Sequence, residues 1–451
     1  MIKYIKDIFA NLTKWLSPGM EVKRWFFLSC LGVLIFCFGF FLIINIHPAV
    51  TIELSIVDFL SSVFHTRISS AYLDVFFCVT GILITIFAQK QLFLSIYSVI
   101  VPYENKKLVE VIYEKRKLDM GLKIVAIGGG TGLSTLLRGL KKYTNNITAV
   151  VTVSDDGGSS GRLRDDFGML PPGDIRNCLV ALAGNESTLS SLFQYRFESG
   201  NGLQGHSFGN LFLAALNNIA GDDFQKAITI SGDILNIKGK VYPATLEKTV
   251  LCAEMESGKT VCGESEIPKH KGKIKRVFLK PEKCKPLNEV IKAIKEADII
   301  ILGPGSLYTS ILPNLQVEDI TEEIKQSKAL KFYICNIMTQ LGETSNFTAS
   351  DHLKALYKNS ADKLVDTIII NNSEPESLDK KYEEEGSVLV KPDIKKLKLM
   401  GVEVIESSLI NKESAKIRHD SEHLADIIIK NAMSKTNEKN VIKRILIGKN
   451  K

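Results

Sequence analysis

Apolar and polar positions along this chain follow two regimes. From Trp25 to Ile46 there is no charged residue, and Phe, Leu and Ile dominate; such a run is long enough to cross a hydrocarbon core as one helix. A second apolar run covers Ile68 to Ala88, interrupted only by Asp74 near its outer end, where water or headgroups can solvate the carboxylate. The pair predicts a two-helix transmembrane hairpin over 25–90. A cleavable signal peptide would carry a shorter apolar region and a small-residue cleavage site, and it would leave the second run unexplained. Lys3, Lys6, Lys14, Lys23 and Arg24 precede the first run, and Lys90, Lys106, Lys107, Lys115, Arg116 and Lys117 follow the second, whereas the connection between them offers only Arg67. The positive-inside rule then places a cytoplasmic N-terminal segment at 1–24 and everything after the hairpin on the cytoplasmic side of the cell membrane, as a two-pass protein. Residues 91–120 mix apolar and basic positions and read as a juxtamembrane helical linker.

Beyond residue 120 the period shortens. Lys123–Ile127, Ile147–Val153, Asp298–Leu302, Lys331–Ile334 and Thr367–Ile370 are short apolar runs, and Leu133, Leu136, Leu137 and Leu140 recur at helical spacing after the first. Short apolar strands alternating with amphipathic helices predict an α/β class, a Rossmann-like parallel sheet with flanking helices, over 121–434. Residues from about 235 to 280 are richer in β-branched residues, charge and glycine, and predict a small β-rich insertion beside the cleft. Glu383–Glu385 and Lys391–Lys398 read as a solvated connection. Asp420–Met433 reads as a helix on the sheet, and 435–451 as a basic C-terminal tail.

Composition changes this picture little. A chain of 451 residues, 45% hydrophobic and 24% charged, can bury a core in each of two or three domains. The net charge of +7 is spread among interspersed acids and bases, which argues against nucleic acid as a partner. The dense basic run Lys269–Arg276 surrounds Gly272 and reads as a solvated hairpin. None of the eight cysteines has zinc-knuckle spacing, and their scatter suits reduced thiols better than a disulfide framework.

The candidate chemistry sits at strand ends. The first strand runs into Gly128, Gly129, Gly130, Thr131 and Gly132, a turn that lets main-chain N–H groups and a helix N-terminus approach a phosphate. Leu133 stands where a dinucleotide fingerprint needs its third glycine, and no Lys-Ser or Lys-Thr pair closes a Walker loop; a plain tight turn is the competing explanation. The second strand delivers Ser154, Asp155, Asp156 and Gly157, whose carboxylates suit a ribose, a base or Mg²⁺, or simply an acidic turn. Pro172, Gly173 and Asp174 follow, with Asp174 placed to cap a helix and Arg176 and Asn177 inside its first turn, where a guanidinium meets phosphate. His206 and Asn210 open another helix, and His206 is a candidate acid or base, or else a cap-region histidine. Gly303, Gly305, Ser306 and Thr309 follow a later strand, and Asn336–Thr344 and Asn371–Asn372 two more. Asp155, Asp174 and His206 are the catalytic candidates, although no sure nucleophile is visible. Several polar turns at one end of a parallel sheet predict one shared cleft.

At GGGTGLSTLLRGLK, TVSDDGGSSGRLRDDFGMLPPGDIRNCL, GHSFGN, GPGSLYTSILPNL and CNIMTQLGETSNFTASDH the chain resembles the gluconeogenesis factor family, the YvcK/CofD-like proteins, over about 123–375. The resemblance implies a binder of nucleotide sugars such as UDP-N-acetylglucosamine, tied to carbon metabolism, gluconeogenic growth and cell shape. Its relatives, the 2-phospho-L-lactate transferases, move a phospholactyl group from a guanosine diphosphate carrier to a deazaflavin alcohol, which keeps a transferase as the alternative; a nicotinamide dehydrogenase ranks third. Carried over by position, Gly129–Gly132 would hold the diphosphate, and Asp155 and Asp156 would face the nucleoside or Mg²⁺. Pro171–Asn177 and His206–Asn210 would complete the pocket, with Gly303–Ser306 and Thr309 on its far wall. Homodimerisation and cell-wall or metabolic protein partners belong to the same expectation. The hairpin departs from the purely soluble form of the family.

Overall fold

The computed structural model describes residues 23–44, positions 51, 54, 55, 57–59 and 62, residues 70–100, 108–375 except 185 and 271, residue 382, and residues 386–411 and 417–435. Residues 1–22, the acidic run Glu383–Glu385 and the tail beyond Lys435 lie outside them, as does most of the connection within the expected hairpin. The chain divides into two compact units, Met1–Tyr113 and Glu114–Lys451.

In the first unit, α1 (Lys23–Ile43) and α2 (Ser70–Ile100) are both long and apolar enough to cross a membrane. They pack on each other through small residues. A Cβ added at Gly81 would lie 2.4 Å from the Phe36 nitrogen, and one at Gly32 2.5 Å from Thr85 Oγ1, so these glycines let two backbones approach closely. Phe27, Leu34, Phe76 and Leu83 remain exposed on the outside. A third helix, α3 (Leu108–Asp119), carries the chain across the unit boundary.

The second unit follows the chain as β1 (Ile124–Gly128), α4 (Gly130–Leu140), β2 (Ile147–Val151), α5 (Gly158–Phe167), α6 (Gly173–Leu182), α7 (Glu186–Gln194), α8 (Phe208–Ile219), α9 (Phe224–Leu235) and β3 (Lys240–Pro243). Then come β4 (Val250–Met255), β5 (Thr260–Cys262), β6 (Ile274–Lys280), α10 (Asn288–Glu296) and β7 (Ile299–Leu302). After a wide helical turn at Leu307–Ile311, the chain continues as α11 (Leu312–Leu315), α12 (Ile320–Gln326), β8 (Leu330–Ile334), α13 (Ala349–Lys358), β9 (Thr367–Asn371), α14 (Ile394–Leu399), β10 (Glu403–Ser407) and α15 (Ser421–Lys435).

Seven strands form one parallel sheet in the order β10-β9-β8-β7-β1-β2-β3. Because side chains alternate across a strand, Ile124, Ala126, Ala149 and Ile301 face a core built with Leu136 and Leu140 of α4, Ile175 of α6 and Ile428 of α15. Val125, Ile127, Val150, Ile300 and Ile368 face the other side, against Leu251, Val277, Val290 and Leu353. Burial on both faces explains why these strands read as continuous apolar runs.

Three sequence expectations are corrected here. The β-rich insertion is narrower than 235–280, since β3 is the edge strand of the main sheet, where its terminal Pro243 is tolerated; the small sheet is β4, β5 and β6, antiparallel, in the order β5-β4-β6. The basic run Lys269–Arg276 is no hairpin, because β5 and β6 both pair with β4 rather than with each other; Lys275 and Arg276 already belong to β6 and bond Glu254 at 2.5 and 2.6 Å. The cysteines are not all free. Register sets Cys252 directly opposite Cys262, with Cα atoms 4.0 Å apart, and the two are joined as a disulfide, while Cys30, Cys37, Cys78, Cys178, Cys284 and Cys335 are free.

Candidate functional site

The strand order reverses between β1 and β7, which sit side by side although about half of the unit separates them in sequence. In an open α/β sheet, loops leaving such neighbours diverge to opposite faces and leave a crevice at the carboxyl ends. The two glycine turns seen in the sequence are the two loops that leave this point. A Cβ at Gly128 would lie 3.8 Å from Gly303 Cα, one at Gly132 would meet the Pro304 carbonyl oxygen at 2.5 Å, and one at Gly305 would lie 3.5 Å from the Gly129 oxygen. Gly130 has φ +61 and Gly303 φ +85, both in the left-handed region that suits glycine. Behind them the buried Asn314 amide donates to the Gly128 carbonyl at 3.1 Å and to that of Ser310 at 2.8 Å, pinning one turn to the other.

The helices that open here have no capping side chain at their own N-cap positions. Gly129 precedes α4, Gly157 precedes α5 and Pro172 precedes α6, and none supplies a capping side chain. By contrast, Ser207, Asp223 and Thr348 cap α8, α9 and α13. First turns without an N-cap side chain bring main-chain N–H groups and the positive dipole end to the crevice.

Asp174 corrects the capping expectation. It lies in the first turn of α6, but its carboxylate reaches across to accept from the Gly130 N–H, and a Cβ at Gly129 would touch its Oδ2 at 2.6 Å. Burial raises its pKa to about 6, with Asp155 adding to the rise and Gly130 and Arg176 opposing it. Asp155 Oδ1 accepts from Gly157 N–H at 2.9 Å, and its Oδ2 faces Gly173. Asp156 Oδ1 accepts from Ser265 N–H at 2.9 Å. Ser154 is buried, with its hydroxyl 2.9 Å from that of Thr152. Thr131 is exposed at the mouth.

Arg176 is placed differently from a phosphate clamp. Its guanidinium is buried and donates to the Ser207 hydroxyl, to Asn210 Oδ1 at 2.9 Å and to Asn177 Oδ1 at 2.8 Å; its Nε has no partner. Asn210 in turn donates to Ser159 Oγ at 3.0 Å, and Ser159 lies 3.0 Å from His206 Nδ1. Arg176, Asn177, His206 and Asn210 are thus brought together, as a buried network tying α5, α6 and α8 behind the crevice. Burial first, then Arg162, lowers the His206 pKa, which favours the neutral ring. Arg176→Met should cost about 2–4 kcal/mol, because the buried Asn210 and Ser207 oxygens lose a charged donor; the shift in urea midpoint of wild type against variant measures it.

The far wall has its own buried acid. Thr309 donates to Glu343 Oε1 at 3.3 Å, the Tyr308 and Thr309 N–H groups point to the same carboxyl, and Oε2 has no partner. Burial raises the Glu343 pKa to about 7. Ser306 Oγ accepts from Gln340 at 2.6 Å. The sequence reading also missed Glu264, which the insertion brings against Asp155. Burial, then Asp155 and Asp174, push its carboxyl well above the ordinary range. A glycine-acid pair, Gly263-Glu264, directly after a short strand was the available signal.

Residues 124–410 match the sequence profile of the family described as 2-phospho-L-lactate transferase CofD. The chain belongs to the CofD family. Within it, the putative gluconeogenesis factor of Clostridium acetobutylicum is 45% identical over 93% of this chain and 92% of its own length. The gluconeogenesis factor of Bacillus subtilis is 53% identical over 68% of this chain and 97% of its own length. A crystal structure of a UPF0052 family protein from Bacillus halodurans superposes with a TM-score of 0.65 at 51% identity, covering 68% of this chain and 98% of that one. The Clostridium match is long enough to extend into the N-terminal unit, whereas the other two span a length close to that of the CofD domain.

Proposed function

We propose that this CofD-family chain is a membrane-tethered regulator that binds a nucleotide sugar of the UDP-N-acetylglucosamine type and passes its bound state to metabolic or cell-wall partner proteins, in support of gluconeogenic growth and cell shape. The observation that carries the reading is the meeting of two glycine turns and uncapped helix N-termini at the point where strand order reverses. Backbone N–H groups there suit a pyrophosphate, and Asp155 and Asp156 suit hydroxyl or base donors of the nucleoside. The gluconeogenesis-factor names of the relatives favour a regulatory role. The tether rests on α1 and α2, whose exposed Phe and Leu side chains would be costly in water and are at home in lipid; the flanking charge pattern then orients the CofD domain toward the cytoplasm.

Calorimetry tests the site. UDP-N-acetylglucosamine affinity should fall about tenfold or more in Asp155→Ala, which removes an acceptor of charge-assisted hydrogen bonds worth roughly 1.5–3 kcal/mol. Unchanged affinity in that variant and in Thr131→Val would remove the site from consideration. Mass spectrometry of small molecules that co-purify with the protein names the sugar.

The cluster of Asp155, Asp174 and Glu264 favours a second reading, a transferase acting on a nucleotide-diphosphate substrate in the manner of 2-phospho-L-lactate transferase. Such a reaction would use Mg²⁺ to neutralise charge on the leaving phosphate. Among the described residues no group of three or more His, Cys, Asp or Glu side chains is arranged to hold a metal, and Asp155 and Asp156 each give one oxygen to a backbone donor. That donor set is no protein cage; it suits at most a hydrated ion carried in with the phosphates. Incubation with UDP-sugars and Mg²⁺ separates the readings: an unchanged ligand supports a sensor, and turnover supports the transferase.

A further inference from the structure

The insertion reaches the crevice through one turn, and the step before that turn is a cysteine. β5 is a short edge strand held only by β4 within its sheet, and strands of that length pair weakly on their own. Gly263 N–H donates to the Leu251 carbonyl at 2.8 Å, which makes Cys252 and Cys262 the non-hydrogen-bonded pair, the one with the closer Cα atoms. Cys252 is fully buried and Cys262 is exposed. Directly after Cys262, Gly263 turns with φ +107 against Asp156, where a Cβ would lie 2.7 Å from Oδ2. Glu264 meets Asp155, and Ser265 N–H donates to Asp156 Oδ1 at 2.9 Å. Ile267 N–H then donates back to the Gly263 carbonyl at 3.1 Å, with its side chain fully buried as the anchor.

We propose that Cys252 and Cys262 form a reversible thiol-disulfide switch that sets how firmly the Gly263–Glu266 turn holds the Asp155–Asp156 loop, and through it the affinity of the crevice for a phosphate-bearing nucleotide. The ligand part of this inference rests on the nucleotide-sugar reading above; the switch and its grip on the turn do not. In the forming direction the exposed Cys262 thiolate attacks one sulfur of a small disulfide, RSSR, whose S–S bond breaks and releases one RS⁻. The Cys252 thiolate then attacks Cys262 Sγ of the mixed disulfide and expels the second RS⁻. The two protein thiols lose two electrons and two protons, and the small disulfide takes up both as two thiols. Reduction by excess small thiol runs the same steps backward, with attack at the accessible Cys262 sulfur. With the bond closed, β5 cannot separate from β4, and the turn that follows is ordered before ligand arrives. With it open, ligand binding must order the turn, so affinity falls.

The test uses the full-length chain in detergent, equilibrated with glutathione at a series of oxidised-to-reduced ratios. Two readouts are taken: hydrogen exchange of the Gly263–Ile267 amides, and calorimetry with UDP-N-acetylglucosamine. The oxidised form should protect the Ser265 and Ile267 amides more than the reduced form. It should also bind the nucleotide sugar more tightly by a factor within the roughly 5- to 150-fold range of site-to-site coupling. Cys262→Ser, at an exposed position, should show reduced-state protection and affinity at every ratio; Cys252→Ser provides the same readout from the buried side. Equal protection in the two forms, or a pair that stays reduced at every glutathione ratio, overturns the switch. If the switch operates on the amides but UDP-N-acetylglucosamine binds neither form, the ligand reading fails and the switch stands.

Discussion

Gly132→Ala is expected to lower UDP-sugar affinity by about a hundredfold or more, close to 2.8 kcal/mol of binding free energy, while the protein still folds. The added Cβ would lie 2.5 Å from the Pro304 carbonyl oxygen and 3.0 Å from Gly305 Cα. Both contacts are backbone, so no side chain can swing away, and the β1 and β7 turns must separate. Separation displaces the N–H groups of α4 from the wall that faces them, and phosphate hydrogen bonds lose strength steeply with misalignment. Overpacking of this kind adds about 1–3 kcal/mol of destabilisation, which a thermal melt should register as a drop of several degrees. Gly401→Ala is the control. It sits at φ +81 with open space around it, so it carries backbone strain of about 1 kcal/mol and should leave affinity unchanged. Wild-type affinity in Gly132→Ala would mean that the two turns do not grip one ligand.

The second large effect is on stability against pH. Asp174 and Glu343 have folded pKa values raised to about 6 and about 7, and Glu264 is raised as well. An unfolded carboxyl titrates near 4, so between that value and the folded one the native state holds protons that the unfolded state has already released. Stability must then fall as pH rises through this window. The stabilisation is fully present below about pH 4 and has been lost for Asp174 and Glu343 above about pH 7, with Glu264 extending the decline further. A scan of melting temperature from pH 5 to pH 9 should descend by several degrees, with other titrations superposed. Glu264→Gln keeps the volume and a donor for Asp155 but cannot ionise, so its curve should be flatter than the wild type and cross above it on the alkaline side. Parallel curves for the two proteins would contradict the assignment of a proton to this carboxyl.

Much of the sheet was legible because its strands are buried on both faces, and a run such as Ile299–Leu302 has no other use in a domain of this size. The glycine turns were legible for a local reason: left-handed backbone at Gly130 and Gly303 leaves a mark in composition. That Gly132 and Pro304 touch is not local. It follows from strand order, which no single segment carries, and only the clustering of polar turns at strand ends hinted at it. The network around Arg176 was hidden for the same reason. The arginine's position in a first turn suits phosphate, but Ser207 and Asn210 arrive from a distant segment and both accept from its Nη1. Asp174 was read as a helix cap from its place beside its own helix, yet the donor it bonds is Gly130 at the start of α4. Glu264 and the Cys252–Cys262 pair lie in the insertion, where short strands and mixed charge give no strong period, so register had to come from the structure.

The most direct test of the account is a crystal structure of residues 114–451 with UDP-N-acetylglucosamine bound; the relative from Bacillus halodurans, of about this extent, crystallised as a folded chain. The account predicts the diphosphate at the mouth between β1 and β7, with its oxygens about 2.7–3.2 Å from the Thr131 and Gly132 nitrogens and the nucleoside toward Asp155. A nucleotide bound elsewhere on the domain, with the Gly128–Gly132 turn untouched, would contradict it.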